Sequence, residues 1–240
     1  MSMLDRKLWR DISALRGQVI TIALVVAAGV AVFVASISTY DSLLAGRDRF
    51  CASARFPQIF VTLKRAPLSI VSRLAAIPRV ATVEPRIVRD VIVDWPSSFL
   101  PVSARMISLT HSSDEPLSRL YLRRGAAPGP NETHGAVINE AFADANGATP
   151  GMQVRVILNG RLQSFAITGI ALSPEYVYAM KPGIPIPDDR FFAVLWVDRS
   201  AAEAAFDMKG AFNDLVISLA PGADPKSVIV DTEAVPGRSS

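Results

Sequence analysis

The chain has 240 residues, of which half are hydrophobic, and its formal net charge is +3. This length is enough for one large or two small domains. Four basic and two acidic residues precede the long apolar stretch near the N-terminus, so the rest of the chain is almost neutral. A near-neutral body gives little electrostatic reason to expect a nucleic-acid partner, and we predict none.

Residues 1–16 carry an amphipathic pattern. Leucine and isoleucine recur at helical spacing (Leu4, Leu8, Ile12 and Leu15), and most of the charged residues fall on the other side. Trp9 is a residue type that favours the boundary between membrane and water. We predict a short elbow helix on the cytoplasmic membrane surface, with an ordinary charged leader as the alternative.

The next segment, Gly17 to Tyr40, contains no charged residue. A helix needs about 20 apolar residues to cross a hydrocarbon core of roughly 30 Å. The apolar region of a signal peptide is shorter, about 7–15 residues. We therefore predict an uncleaved transmembrane helix over 17–40. The basic residues before it predict a cytoplasmic N-terminus, which would place residues 41–240 outside the cytoplasm.

Beyond Pro57 the pattern changes to short strands with intervening helices. Strands are predicted at 59–65, 104–110, 136–138, 191–198 and 213–220, with one or two more within 80–95, and helices at 67–77, 140–145 and 200–208. Gly147 occupies the position of a C-terminal helix cap. The predicted fold class is α+β, with one transmembrane helix followed by a domain built on a mostly antiparallel or mixed sheet.

Asn159-Gly160 lies between two alternating runs, 154–158 and 161–170. A type I′ turn requires positive φ at both central residues, and Asn-Gly is the pair that adopts it most readily. The sequence therefore predicts a β-hairpin closed by this dipeptide.

Side chains that support catalysis or metal binding are sparse. The chain has no phosphate-binding loop, no G-x-S-x-G and no H-E-x-x-H. His111 and His134 lie in loop-like sequence, Asp188-Asp189 favours a turn over a carboxylate pair, and Cys51, the one cysteine, favours an apolar role over a reactive thiol. We predict no catalytic, cofactor-binding or metal-binding residue, no cofactor and no enzymatic activity.

Several segments together resemble the N-terminal part of bacterial ABC transporter permeases of the FtsX/MacB type. The resemblance begins with the stretch LDRKLWRDISALRGQVITIALVVAAGVAVFVAS, which is similar to the elbow helix and first transmembrane helix of that family. It continues through LAAIPRVATVEPRIV and is most specific in AVINEAFADANGATPGMQVRVILNGRLQSFAITGIALSPEYVYAMKPG and IPDDRFFAVLWVDRSAAEAAFDMKGAFNDLVISLAPGA. It covers roughly residues 3–225.

The resemblance implies a bacterial inner-membrane protein, with residues 41–240 forming a MacB-like periplasmic core domain. It implies a cytoplasmic ABC ATPase and further permease helices as partners, and a periplasmic adaptor protein as an additional one. The function implied is to couple ATPase motion to export, to lipid or lipoprotein handling, or to a periplasmic partner. No second apolar run follows in this sequence, which indicates a truncated permease, a split gene or a fragment. The alternative is a single-pass anchored binding or assembly protein without transport activity.

Overall fold

The computed structural model describes residues 15–96, 98–111, 116–177 and 188–233. The chain divides into two compact units, residues 1–50 and residues 51–240. Residues 1–14 of the elbow helix predicted over 1–16 lie outside the described residues, and Arg16 begins the long helix described next. The side chain of Cys51 also lies outside them.

Helix α1 (Arg16–Ser53) contains 38 residues. Its segment Arg16–Gly46 is the one helix in the described part of the chain that is long and apolar enough to cross a membrane, with a mean hydropathy of 2.7 and no buried residue in its most apolar window. Three side-chain hydroxyls in this segment each donate a hydrogen bond to the backbone carbonyl four residues earlier. The bond from Ser36 to the carbonyl of Val32, for example, is 2.8 Å long. The apolar stretch can therefore carry hydroxyls without leaving them unpaired in lipid.

The helix does not end near Tyr40, where the apolar stretch ends, but continues to Ser53. The residues beyond Tyr40 include several good helix formers and no proline, so polarity alone does not end the helix. The helix ends at Ser53, and Arg55 two residues later has a φ of 50°, which a right-handed helix does not contain.

The body contains ten strands and four further α-helices in the described residues. The strands are β1 (Ile59–Pro67), β2 (Val80–Arg86), β3 (Val88–Asp94), β4 (Val102–Leu109), β5 (Tyr121–Gly125), β6 (Gly135–Asn139), β7 (Gln153–Leu158), β8 (Arg161–Leu172), β9 (Phe192–Asp198) and β10 (Ala211–Leu219). The helices are α2 (Val71–Ala75), α3 (Glu140–Asn146), α4 (Arg199–Phe206) and α5 (Pro225–Glu233). Short 3₁₀ turns, Leu68–Ile70 and Pro174–Tyr176, follow β1 and β8.

Strands β1, β10 and β2 form an antiparallel three-stranded sheet in that order. One face of this sheet is apolar and buries Ile59, Leu215 and Ile217 against Leu74 of helix α2. The opposite face carries Glu84, Arg86 and Asp214, of which Arg86 and Asp214 are partners in the register. The two faces differ because successive strand residues point to opposite sides.

The other seven strands form a mixed sheet in the order β5-β8-β6-β9-β4-β3-β7. Strand β7 also pairs with β8 along Gln153–Ala166 and Leu158–Arg161, so the pairings from β8 round to β7 close into a ring. Parallel pairs (β4 with β9, β6 with β8) occur beside antiparallel ones. The predicted α+β fold with a mixed sheet is confirmed.

The ring encloses the largest apolar core, in which Phe142, Phe165 and Leu195 are essentially inaccessible to solvent. Every residue of β9 is buried because its two faces meet different clusters: Leu195 faces the enclosed core and Trp196 faces a smaller outer one. The sequence of a strand that is buried on both faces is apolar almost throughout, as it is in β9.

The predicted hairpin is confirmed. Asn159 and Gly160 have φ values of 48° and 76°, and strands β7 and β8 pair immediately on either side of them. Gly147 caps α3 in the left-handed conformation with φ 66°, also as predicted.

The run 80–95 forms two strands, β2 and β3, which belong to different sheets and are separated by Ile87 alone.

Candidate functional site at the junction of the two sheets

The two sheets of the body meet where β2 passes into β3. The backbone of Ile87 lies between them, and its N–H donates to the Ser108 hydroxyl at 2.8 Å while its carbonyl accepts from the Ser108 N–H at 2.9 Å. Strand β4, to which Ser108 belongs, thereby holds the crossing point. Without such partners, the backbone N–H and C=O groups at the crossing between the sheets would be buried with no hydrogen bond.

Asn213 provides a second attachment at the same crossing. Its Oδ1 accepts from the N–H of Val88 at 2.9 Å, and its Nδ2 donates to the carbonyl of Val88 at 2.7 Å. The amide side chain therefore pairs with both backbone groups of the first residue of β3. Asn213 is itself buried, so this pairing ties β10 of the three-stranded sheet to the other sheet.

Arg199, the first residue of α4, provides a third attachment at the crossing. Its guanidinium donates to the carbonyls of Pro85 and Ala211, both at 2.9 Å, and pairs with Glu203 at 2.9 Å. Asp198 caps the same helix by accepting from the Ser200 N–H at 2.8 Å and from its hydroxyl. The N-terminus of α4 is thus joined to strands of the three-stranded sheet.

A group of four charged side chains is buried beside these attachments, and we call Glu84, Arg86, Glu175 and Asp214 the charged junction. Arg86 pairs with Glu175 at 2.6 Å and with Asp214 at 2.7 Å, and all three side chains are 11% exposed or less. Glu84 accepts from the N–H of Leu117 at 2.8 Å. The junction therefore connects strands β2 and β10 to the segment that follows β8.

The two carboxylates hold the pKa of the Arg86 guanidinium above its ordinary value, so this group stays charged despite its burial. Burial raises the pKa of Glu84, because removal from water disfavours the ionised carboxylate more than its hydrogen bond favours it. Burial also raises the pKa of the Tyr176 phenol, which packs edge-on against Trp196. The junction is a stiff electrostatic connection with no exposed nucleophile or base.

None of these four residues was predicted from the sequence as part of a site. A detectable signal was present, because Glu84, Arg86 and Asp214 interrupt strands that are otherwise rich in β-branched and aliphatic residues. Charged side chains in such runs are rarely buried unless they are paired. Their partners could not be read from the sequence, since Arg86 and Glu175 are far apart along the chain.

The residues considered from sequence lie elsewhere. His134 is exposed, and His111 lies 3.1 Å from the buried carboxylate of Asp198. Asp188 and Asp189 form a turn in which the Asp188 carbonyl accepts from the N–H of Phe192 at 3.0 Å, as predicted. Within the described ranges, no three histidine, cysteine or acidic side chains group as metal ligands would.

Comparison with known proteins gives structural likenesses only. No protein-family model matches the sequence, and no curated protein matches it. The structure is similar to the extracellular domain of the noncanonic ABC-type transporter YknZ from Gram-positive bacteria, with a TM-score of 0.47 and 12% identity over 70% of this chain and 86% of that one.

It is also similar to the periplasmic region of MacB from Actinobacillus actinomycetemcomitans, with a TM-score of 0.43 and 13% identity over 71% of this chain and 72% of that one. A third similar structure is a domain described as belonging to a permease protein from Porphyromonas gingivalis, with a TM-score of 0.39 and 13% identity over 63% of this chain and 61% of that one. Likenesses of this size establish neither a family nor an activity for this chain.

Proposed function

We propose that this chain is the membrane-anchored periplasmic portion of an ABC transporter permease in a bacterial inner membrane, with its N-terminus in the cytoplasm. Its role is to carry motion between a cytoplasmic ATPase and the periplasmic side. The observation that carries the proposal is helix α1, which contains an exposed apolar segment, Arg16–Gly46, and continues as one helix to Ser53.

The length of α1 supports a mechanical role. At 1.5 Å per residue its 38 residues extend about 57 Å, well beyond the roughly 30 Å of a hydrocarbon core. Residues 54–58 alone separate the end of α1 from β1. A continuous helix transmits displacement along its axis, whereas a flexible linker of the same length would absorb it.

The body supports a role without chemistry of its own. Glu84, Arg86, Glu175 and Asp214 are engaged in the charged junction, and the buried Asp198 caps α4. The mostly buried Arg199 is bonded to two backbone carbonyls and to Glu203. These contacts hold the two sheets together as a stiff body. The sequence resemblance assigns ATP hydrolysis to a separate cytoplasmic subunit.

The proposed assembly includes further membrane helices. A polar path through lipid must be enclosed by several associated helices, and one helix cannot enclose it. We therefore propose that the ATPase and the remaining permease helices are the partners of α1, and that a periplasmic adaptor protein binds the body. The cargo classes implied by the resemblance are small toxic molecules, lipids and lipoproteins.

Leu43→Pro tests the role of helix continuity. Leu43 lies in α1 beyond the uncharged stretch, and its side chain is exposed, so a proline there removes a backbone hydrogen bond and kinks the helix at a cost of about 3 kcal/mol. In liposomes that contain the chain together with any ABC ATPase and permease helices encoded beside it, we expect ATP-driven cargo movement to fall at least tenfold.

Leu43→Ala is the matched control, because it removes the same side chain and preserves the helix. We expect it to retain transport, and both variants should show the wild-type unfolding transition of the body. Equal transport by Leu43→Pro and wild type would contradict coupling through α1. Transport or ATP turnover by the purified chain alone would contradict the proposed division of labour.

An anchored binding protein is the second candidate function, and one surface feature favours it. Ile92, Ile157 and Leu162 lie side by side on β3, β7 and β8 and are 48%, 40% and 57% exposed. Exposed apolar groups in one row are a common feature of surfaces that bind another protein. In the reconstitution described above, this alternative predicts no change in ATP turnover when the chain is added to the ATPase and permease helices.

A further inference from the structure

The charged junction contains more negative than positive charge. Three carboxylates lie in it, Glu84, Glu175 and Asp214, and within the described part of the chain two guanidinium groups balance them, those of Arg86 and Arg55. Arg105 also faces Asp214, but its guanidinium forms two hydrogen bonds, of 2.8 and 3.1 Å, to the carboxylate of Asp90. One negative charge therefore has no counterpart.

Glu84 is the carboxylate in the weakest position to remain ionised. Glu175 and Asp214 each contact Arg86 directly, at 2.6 and 2.7 Å. Among the described residues, the Glu84 carboxylate accepts one hydrogen bond, from the backbone N–H of Leu117, and Glu84 is only 8% exposed. The charges that face it are Arg86 on its own strand, Arg55 after α1, and Glu175 after β8, which repels it.

We infer that the charged junction is a proton-binding site, that Glu84 holds the proton in the folded body, and that the three-stranded sheet is attached more firmly as pH falls toward the ordinary range of a glutamate carboxyl. Burial without a dedicated cation disfavours the charged form of a carboxylate, and uptake of a proton removes that penalty. The inference concerns the folded body itself and does not depend on the proposed transport function.

The sign of the pH effect follows from linkage. Burial raises the pKa of Glu84 in the folded state above its ordinary value in the unfolded chain. Between these two values the folded chain binds a proton that the unfolded chain does not, so the contribution of Glu84 to stability grows as pH falls through the folded-state pKa. The stabilisation from Glu84 is complete below the ordinary pKa of glutamate and absent well above the raised pKa of the folded state.

Glu84→Gln tests this direction in the full chain in detergent. Glutamine resembles the protonated acid and can still accept from Leu117, so we expect Tm of the variant to exceed that of the wild type at pH 8 and to approach it at pH 5. Glu140→Gln makes the same chemical change in a half-exposed pair with Arg123 and controls for the substitution. A Tm difference between Glu84→Gln and wild type that is constant from pH 5 to pH 8 would overturn the inference.

Infrared spectroscopy gives a second readout that does not depend on stability. A protonated carboxyl group has a C=O stretch that a carboxylate lacks. As pH rises, we expect this band to persist in the folded wild-type chain above the pH at which exposed carboxyl groups lose theirs, and Glu84→Gln to lose the persisting band. Absence of the persisting band from the wild type would overturn the inference, even if the variant failed to fold.

Discussion

Replacing Arg86 with methionine is expected to lower the free energy of unfolding by about 3–5 kcal/mol, because Glu175 and Asp214 would remain buried without a counter-ion. Chemical denaturation of the full chain in detergent measures this value. The loss is large beside the roughly 5–15 kcal/mol that stabilises a typical domain. Part of the population is therefore expected to be unfolded at growth temperature.

Arg155→Met is the matched control. Arg155 pairs with Asp94 at 2.7 Å, the same distance as between Arg86 and Asp214. The side chains of Arg155 and Asp94 are, however, both about half exposed. Exposed pairs contribute about 0–1 kcal/mol. Adding Glu175→Gln and Asp214→Asn to Arg86→Met should restore part of the lost stability, because the uncompensated charges are removed with it. Equal losses for Arg86→Met and Arg155→Met would contradict the burial of the junction.

Gly125→Ala is expected to destabilise the body by about 2–5 kcal/mol, from two effects at one position. Gly125 has φ +72°, which side chains resist, and a Cβ there would overlap the carbonyl oxygen of Thr168. The partner residue in register on β8 is also a glycine, Gly169, whose own Cβ would lie 2.6 Å from the carbonyl of Ala126. The two backbones approach too closely for either side chain.

Gly160→Ala separates the two effects. Gly160 has φ +76°, close to that of Gly125, but a Cβ there would meet no atom within 4 Å. We expect a loss of about 1 kcal/mol, from the backbone conformation alone. The difference between the two alanine variants, measured by the same denaturation, therefore reports the close approach of β5 and β8. Equal losses would show that these strands can separate without penalty.

Local patterns predicted most of the elements, because each rests on a few adjacent residues. Asn159-Gly160 identified the hairpin through its turn chemistry, and Gly147 identified the end of α3. Strand β5 was not predicted. Its five residues are exposed or partly exposed, and its place in the sheet depends on Gly169, which is distant in sequence. Short exposed strands carry little apolar alternation for sequence reasoning to detect.

The division of β2 and β3 between two sheets was beyond sequence reasoning for a similar reason. The run 80–95 is continuous in its β-branched content, and the change of sheet at Ile87 is fixed by partners from other elements, Ser108 and Asn213. The charged junction depends likewise on a pairing between β2, β10 and the turn after β8. In the sequence, the buried charged residues are visible only as interruptions of apolar strands. The residues with which they pair cannot be identified there.

The measurement that tests the central claim most directly is the topology of the chain in a bacterial membrane. Alkaline phosphatase fused after Ser240 should be active, because it folds only outside the cytoplasm, and a reporter that works only in the cytoplasm should be silent there. Lysines in place of Leu24 and Val30, which lie in the apolar segment of α1, should prevent insertion and reverse both signals. The reverse pattern in the wild-type fusions would contradict a periplasmic body anchored by α1.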